Sequence, residues 1–483
     1  MSNVGKGIFM SENSTQVIKF GTDGWRAVIA DTFTFENVAV LAQALAVWVK
    51  KDALKIFGEP LRVAVGYDNR FLSKNFSETV AVVLAANGIE VLLSSASLPT
   101  PALSLATREH KCVAGVVITA SHNPPEYNGF KIKTAQGGGA GKNITDVVEG
   151  YIGLEPVVRL DFKKALAEEK VRILDFKKDY LKFLRGYVNL KKIKTARYRV
   201  IQDVMHGSGG RLLEEALKGT QIRLELMHAD VNPGFEGIRP EPLAQYLGEL
   251  IAVTKKGKYD LGLVLDGDAD RIALVLNGEF VSPQKILALL ALHLWKNRGI
   301  KGGIIKTICG STMIDNMCKA NGITLYETPV GFKYISDLML TKEIIAGGEE
   351  AGGMGLPNYI PERDGILAGL LLLEMMVYEK KNMVRILAEL EKKYGRYYYD
   401  KTSIPMKKIV KTLEPVKKIE SVLGNKVVAI KDYDGVKLEL ANDSWIMVRA
   451  SGTEPILRAY AESKSLKRTK ELLAFALDLA KTL

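Results

Sequence analysis

The sequence predicts an α/β protein: three related α/β domains with mixed sheets, followed by a smaller C-terminal α+β domain. Two features carry this prediction. A strand-like run, a polar or glycine-rich loop, an apolar-periodic helix, a glycine and a second strand-like run recur three times. Such strand–helix–strand units pair their strands in parallel through a right-handed crossover. The final stretch, 397–483, lacks this repeat and reads as short strands followed by one helix. The length agrees, because 483 residues with 47% hydrophobic content fill three or four domains at roughly 100–200 residues each.

The first copy runs from strand 62–66 through a helix ending at Asn87-Gly88 to strand 89–93. The second comprises strand 198–202, helix 211–217, Gly219 and strand 222–227. The third comprises strand 303–307, helix 313–320, Asn321-Gly322 and strand 323–326. Each helix closes on a glycine, which tolerates the left-handed C-terminal conformation. The stretch 151–180 is expected to be a helical connection. Residues 272–276 and 279–282 predict a hairpin across Asn277-Gly278. Asp364 predicts the N-cap of an apolar helix over 365–380. Runs at 426–430, 435–440, 445–448 and 457–461 predict an antiparallel sheet, with a helix over 466–479. The expected domains are therefore 1–155, 156–271, 272–396 and 397–483.

Composition narrows the function. No apolar run approaches the ~18 residues of a membrane span. Residues 1–16 are polar, lack the order of a signal peptide and are expected to be loosely held. Three scattered cysteines, Cys112, Cys309 and Cys318, make no disulfide framework and suit a reducing cytoplasm. The net charge of +12 could serve nucleic acid, a membrane surface or anionic metabolites. Its lysine runs, 191–194 and 407–418, read as solvated faces, and none is interleaved with aromatics as single-stranded nucleic acid favours. A small phosphorylated ligand is the economical partner, with no nucleic acid or membrane.

Four chemistry-bearing loops stand out. The apolar run 113–118 leads into Thr119-Ala-Ser-His-Asn-Pro-Pro-Glu-Tyr-Asn-Gly-Phe-Lys131. Asn-Pro and Pro-Pro stop the strand and are expected to present Ser121 at its exposed end. Parallel α/β sheets place chemistry at such strand ends. The Gly-x-Ser-x-Gly elbow of acyl-transfer enzymes is absent, since Ala120 and His122 flank the serine. His122 reads either as a proton carrier or as a hydrogen-bonding brace for the loop, which also carries the cation Lys131.

Asp266, Asp268 and Asp270 alternate directly after strand 261–265. In extended chain that spacing turns all three carboxylates one way. Like charges so close call for a hard divalent cation such as Mg²⁺. A calcium EF-hand loop is excluded, because its sixth position would be Arg271 instead of Gly and its twelfth Asn277 instead of Glu. Arg271 is then placed for phosphate. The third loop, 348–353, sets Glu349 and Glu350 among glycines, where carboxylates can accept from sugar hydroxyls. In the C-terminal domain, Arg449, Ser451, Gly452 and Thr453 offer a guanidinium, hydroxyls and an open amide, a cradle for phosphate without metal.

Together with Gly21-Thr-Asp-Gly-Trp-Arg26 and Glu327-Thr-Pro-Val-Gly-Phe-Lys333, these loops resemble, in order along nearly the whole chain, the signature loops of the α-D-phosphohexomutases, the phosphoglucomutase/phosphomannomutase superfamily. The resemblance implies four domains around a central cleft, each supplying one loop. It implies that Ser121 carries a phosphoryl group and, with Asp266, Asp268 and Asp270, holds one Mg²⁺. It implies that Arg26, His122 and Lys131 serve catalysis, and that Arg271, Lys333, Glu349, Glu350 and Arg449–Thr453 bind substrate. A hexose 1,6-bisphosphate would be the intermediate and activator. The family often has Glu-x-Ser in the sugar loop, where this chain has Ala351, so one hydroxyl contact is missing. The expected enzyme is a cytoplasmic phosphohexomutase, monomeric or dimeric, preferring glucose. Alternatives are a phosphomannomutase, a dual-specificity enzyme, a phosphoglucosamine mutase, a metal-dependent sugar phosphatase and a non-catalytic sugar-phosphate-binding protein.

Overall fold

The computed structural model describes residues 18–21, 23–58, 60–451 and 455–483; the N-terminal stretch expected to be loose lies outside the described residues. The chain divides into two compact units, one running to Val281 with Gly352–Lys380, the other Ser282–Ala351 with Lys381–Leu483.

The first unit holds two sheets. The six-stranded sheet has the order Trp25–Val28, Tyr127–Thr134, Ala114–Ile118, Arg62–Tyr67, Glu90–Ser94, Val171–Leu174. Arg62–Tyr67 pairs in parallel with both Glu90–Ser94 and Ala114–Ile118. Tyr127–Thr134 runs antiparallel to Ala114–Ile118, so the sheet is mixed. Ala114–Ile118 is buried throughout, as a central strand covered on both faces must be. The connection over 151–180 is not wholly helical. Val171–Leu174 forms an edge strand parallel to Glu90–Ser94, between helices Phe162–Ala167 and Phe176–Tyr187. Four residues with two exposed side chains give too little pattern to be read as a strand.

The five-stranded sheet has the order Glu279–Val281, Ile272–Leu276, Leu261–Leu265, Arg199–Asp203, Arg223–Met227. Its first three strands are antiparallel and the rest parallel. Asn277 and Gly278 both have positive φ, the turn that the hairpin requires. Helix Gly365–Glu379 is capped by Asp364, which accepts from the Leu367 N–H.

In the second unit, Gly303–Thr307 lies parallel to Leu325–Thr328 and Ile344–Gly348. Gly322 caps the intervening helix Thr312–Asn321 at φ +64°. The remaining sheet has six strands in the order Tyr398–Pro405, Ile456–Ser463, Trp445–Ala450, Val436–Leu440, Asn425–Lys431, Ser421–Val422, all antiparallel. Helix Leu466–Ala480 packs on it through Leu472, Leu473 and Ala476. Three α/β domains and a C-terminal domain with an antiparallel sheet are thus the observed architecture.

Candidate functional site

In the first unit, the ends of Ala114–Ile118 and Leu261–Leu265 bring the serine and aspartate loops together. Ser121 is not exposed, as the strand-end reading expected, but buried. The turn carries it at φ +53°, a left-handed conformation uncommon outside glycine. Its N–H donates to Thr119 Oγ1 at 2.9 Å, and its Oγ donates to Asp266 Oδ2 at 3.0 Å. His122 Nδ1 stands 3.4 Å from the same Oγ. Burial and the neighbouring Arg271 and Arg26 guanidiniums push the His122 imidazole well below its ordinary value, so it is neutral. Arg26 donates to Asn123 Oδ1 at 2.8 Å, in the serine loop. Gly267 lets the loops abut, because a Cβ there would collide with the Ser121 carbonyl oxygen.

Asp266, Asp268 and Asp270 are all fully buried, with one carboxylate oxygen from each within 4.8 Å of the others. They do not converge by extended alternation. The chain turns here, with Ala269 at φ +55°, so the loop folds around the point the carboxylates face. At that spacing each pair repels by about 3 kcal/mol at an effective dielectric of ~20, more than surface charges tolerate. Burial, with Asp270 and Asp268, pushes Asp266 well above the ordinary carboxylate value. Burial also raises Asp270, with Arg363 opposing. For Asp268 burial is outweighed by Lys131 and Thr100, which hold it down.

Lys131 is the local counter-ion. Its Nζ lies 2.8 Å from Asp23, 2.9 Å from Asp268 and 3.5 Å from Asp270. Burial would lower its pKa, but these carboxylates win and raise it, so Lys131 is a fixed cation. Thr100 Oγ1 donates to Asp268 Oδ2 at 2.5 Å, and Arg363 Nη2 lies 2.6 Å from Asp270 Oδ2 and 2.9 Å from Asp23. These partners occupy the Oδ2 atoms. Asp268 Oδ1 and Asp270 Oδ1 are buried without a hydrogen-bond donor. Two such oxygens beside Asp266, with the serine hydroxyl on its Oδ2, fit a hard cation taking oxygen ligands. Arg271 Nε lies 4.0 Å from Asp266 and 3.9 Å from Asp270, at ion-pair range.

The other predicted residues lie in the second unit. Ile344–Gly348 delivers Glu349, which is buried, and Glu350, which accepts from Thr307 Oγ1 at 3.1 Å. Lys333 is the second residue of helix Phe332–Thr341, its Nζ 4.7 Å from the Tyr334 ring centre. Arg449 Nε donates to Asp434 Oδ1 at 2.7 Å. The other oxygen of Asp434 accepts from the Val330 N–H at 2.7 Å, so one carboxylate ties Arg449 to the loop before Lys333. Ser451 is buried, its N–H bonded to the Ile456 carbonyl. Gly452 and Thr453 lie outside the described residues.

Sequence reasoning missed four members of these clusters. Asp23 sat inside a quoted motif, but only its fold partners give it a role. Arg363 was overshadowed by the helix-capping Asp364 beside it. Thr100 and Asp434 carried no local signal, since each acts across more than a dozen residues of intervening chain.

Family models match four consecutive parts of the chain. They describe phosphoglucomutase/phosphomannomutase α/β/α domains I, II and III over residues 17–155, 178–279 and 282–394, and the C-terminal domain over 404–479. A Thermococcus kodakarensis phosphoglucomutase/phosphomannomutase is 31% identical, covering 95% of this chain and 98% of its own. A Sulfurisphaera tokodaii phosphoglucosamine/phosphogalactosamine mutase is 30% identical over 92% of this chain and 95% of its own. A crystal structure of a phosphomannomutase candidate from Thermus thermophilus superposes with a TM-score of 0.85 at 32% identity, covering 96% of this chain and 99% of that one.

Proposed function

The chain belongs to the phosphoglucomutase/phosphomannomutase family of phosphotransfer isomerases, and from that premise we propose that it interconverts hexose 1-phosphate and hexose 6-phosphate with a preference for glucose. The observation that carries this is Ser121 Oγ bonded to Asp266 within three buried, convergent carboxylates. A phosphoryl group on Ser121 passes to the free hydroxyl of the substrate: the serine P–O bond breaks, a bond from phosphorus to the sugar oxygen forms, and the hydroxyl proton passes through His122 to the departing Ser121 oxygen, which ends as a hydroxyl. The resulting 1,6-bisphosphate then returns its other phosphoryl group to Ser121. Phosphoryl transfer asks for position and charge neutralisation above all.

Neutral His122, 3.4 Å from Ser121 Oγ, supports a proton-accepting role. Lys131, held protonated, serves as charge partner to the carboxylates and the transferred group. Mg²⁺, when bound by Asp266, Asp268, Asp270 and the serine-borne group, supplies further charge neutralisation. Arg271 and Arg26 approach the transferred phosphate. Arg449, Ser451, Gly452 and Thr453 take the distal phosphate, while Glu349, Glu350 and Lys333 read the sugar. Three buried cysteines without disulfides suit a cytoplasmic enzyme, and among the described residues no helix is long and apolar enough to cross a membrane.

Two features favour glucose. Glu349-Glu350-Ala-Gly-Gly with Glu362-Arg-Asp-Gly365 looks more like phosphoglucomutases than the Glu-Met-Ser-Gly-His pattern of dual mutases, and Gly331-Phe-Lys333 resembles their Gly-Trp-Lys. C2 epimers differ by one hydroxyl's direction, so one or two hydrogen bonds decide between them. The Sulfurisphaera relative makes glucosamine 1-phosphate the second candidate. Comparing kcat/KM for glucose, mannose and glucosamine 1-phosphates, each with Mg²⁺ and the matching bisphosphate, tests the assignment. Glucose 1-phosphate is expected to lead, with residual mannose activity. A mannose or glucosamine value equal to or above that for glucose would overturn the preference while leaving the mutase reading in place. Release of free phosphate in place of isomerisation would favour the phosphatase.

A further inference from the structure

We propose that Asp68-Asn69-Arg70 is a positioning device that sets the serine loop against the aspartate loop. The kinetic half of its test rests on the phosphotransfer reading; the structural half does not. The segment leaves the end of strand Arg62–Tyr67, beside the strand that delivers Ser121. Arg70 is buried and spends its guanidinium on backbone. Nη2 donates to the carbonyls of Ser121 at 2.7 Å and Asn123 at 2.6 Å, and Nη1 to those of Pro124 at 2.7 Å and Tyr127 at 2.9 Å. One side chain therefore gathers four carbonyls from seven consecutive residues.

The grip is itself fixed. Asp68 lies 3.3 Å from Arg70 Nε and accepts from the Arg70 N–H, the Ser73 hydroxyl and the Thr119 hydroxyl. The same Thr119 oxygen accepts from the Ser121 N–H. Phe235 covers the guanidinium at 5.0 Å. Asn69, between them, reaches the other way, donating to the His206 and Gly207 carbonyls at 3.0 and 2.9 Å. Ser208 N–H then bonds to the carbonyl of Gly267 in the aspartate loop at 2.9 Å. Successive residues of one tripeptide thus hold the serine loop directly and the aspartate loop through 206–208, the two loops whose side chains meet at Ser121 Oγ and Asp266.

Chemistry requires arginine here. A planar guanidinium offers five donors in a fixed fork, which suits carbonyls spread over a curved loop; an ammonium offers three from one point. The serine loop has no ladder partner of its own at Ser121, and its left-handed φ would relax if the carbonyls were released. None of the three residues touches the reacting oxygen, so they act through the loops.

The test uses Arg70→Lys and Asn69→Ala in the full chain, with hydrogen exchange read by peptide and steady-state kinetics alongside. In Arg70→Lys the peptide over 119–127 is expected to exchange at least ~10-fold faster, while strands Arg62–Tyr67 and Glu90–Ser94 keep their protection. Misplacing a reacting group by about 1 Å costs on the order of 10²-fold, so kcat should fall by that factor with KM within about threefold. Asn69→Ala should lower kcat by roughly 10-fold through the aspartate side, again with KM held, and carries the test if Arg70→Lys does not fold. Unchanged exchange over 119–127 in folded Arg70→Lys overturns the proposal, as does faster exchange with wild-type kcat. Should the wild type fail to isomerise any hexose phosphate, the phosphotransfer reading falls, and the exchange result alone decides the positioning role.

Discussion

Two buried lysines show how differently the two units treat charge. Lys131, in the first unit, faces three carboxylates between 2.8 and 3.5 Å, and its pKa is raised despite burial. Lys437, in the second, has the Ile308 carbonyl at 2.9 Å and the Trp445 ring at 4.3 Å, with Glu439 3.9 Å away. Burial, aided by Lys306, pushes it down to about 8. Equal burial gives opposite outcomes because counter-charge, not depth, decides the protonation state. The first unit concentrates buried opposite charges around Ser121 in short ion pairs, the charge neutralisation that phosphoryl transfer uses. In the second unit the Arg449 side chain remains 24% exposed and, among the described residues, pairs with the carboxylate of Asp434. We read the first region as preorganised for chemistry and the second as adjustable for recognition.

The largest effect should come from removing the group at the centre of the preorganised region. Ser121→Ala is expected to fold, losing about 1 kcal/mol with one hydrogen bond to Asp266. Its mutase turnover should fall by roughly 10⁴-fold or more, as for loss of a covalent nucleophile. Turnover near wild type would put the chemistry elsewhere.

Next is Asp268→Asn, which keeps shape and deletes the charge facing Lys131. Lys131 keeps Asp23 and Asp270 and two carboxylate repulsions are relieved, so the melting temperature should change only modestly. Calorimetric Mg²⁺ affinity and kcat should fall, kcat by roughly 10²-fold or more. Full activity in this variant, or of wild type in excess chelator, would remove the cation from 266–270.

A smaller and different signature is expected from the adjustable region. Arg449→Ala should raise KM and lower kcat, each by about 10-fold, with stability changed by less than about 1 kcal/mol because the pair is partly solvated. Unchanged kinetics would argue against a phosphate cradle there.

The subtlest test is Lys437→Met. The folded-state pKa, about 8, lies below the ordinary lysine value of 10.5. Between those pH values the unfolded chain holds the proton and the folded chain releases it, so folding gains stability as pH rises. Denaturant titrations should show wild type gaining about 3 kcal/mol relative to Lys437→Met across that window. Parallel curves would mean that the folded and unfolded chains hold the Lys437 proton equally, with no depressed value in the fold.

Much of this was legible because it is local. Each of the three repeats did fold as parallel strands around a helix, and Asn277-Gly278 and Asp364 did set a hairpin turn and an N-cap. Alternation of Asp266, Asp268 and Asp270 marked the cluster correctly for a mistaken reason, since Ala269 turns the chain in a way spacing does not encode. Burial of Ser121 was misread because Pro-Pro signals a surface loop, whereas here the aspartate loop packs over it. Thr100 and Asp434 were invisible because their partners are distant in sequence, and Arg363, though inside Glu362-Arg-Asp-Gly365, gave no sign of its ion pair with Asp270. The strand Tyr398–Pro405 escaped because this edge strand has one buried residue, Ile404, and exposed neighbours at Asp400-Lys401, leaving no apolar alternation to read.

The central claim is that Ser121 carries the phosphoryl group, and it can be read without kinetics. Wild-type protein should be incubated with Mg²⁺ and glucose 1,6-bisphosphate labelled in its phosphates, digested, and its peptides sequenced by mass spectrometry. The account predicts one label on the peptide containing Ser121, transferred onward when unlabelled glucose 1-phosphate is added, and none in Ser121→Ala. Label on another residue, or isomerisation with Ser121 never phosphorylated, would contradict it.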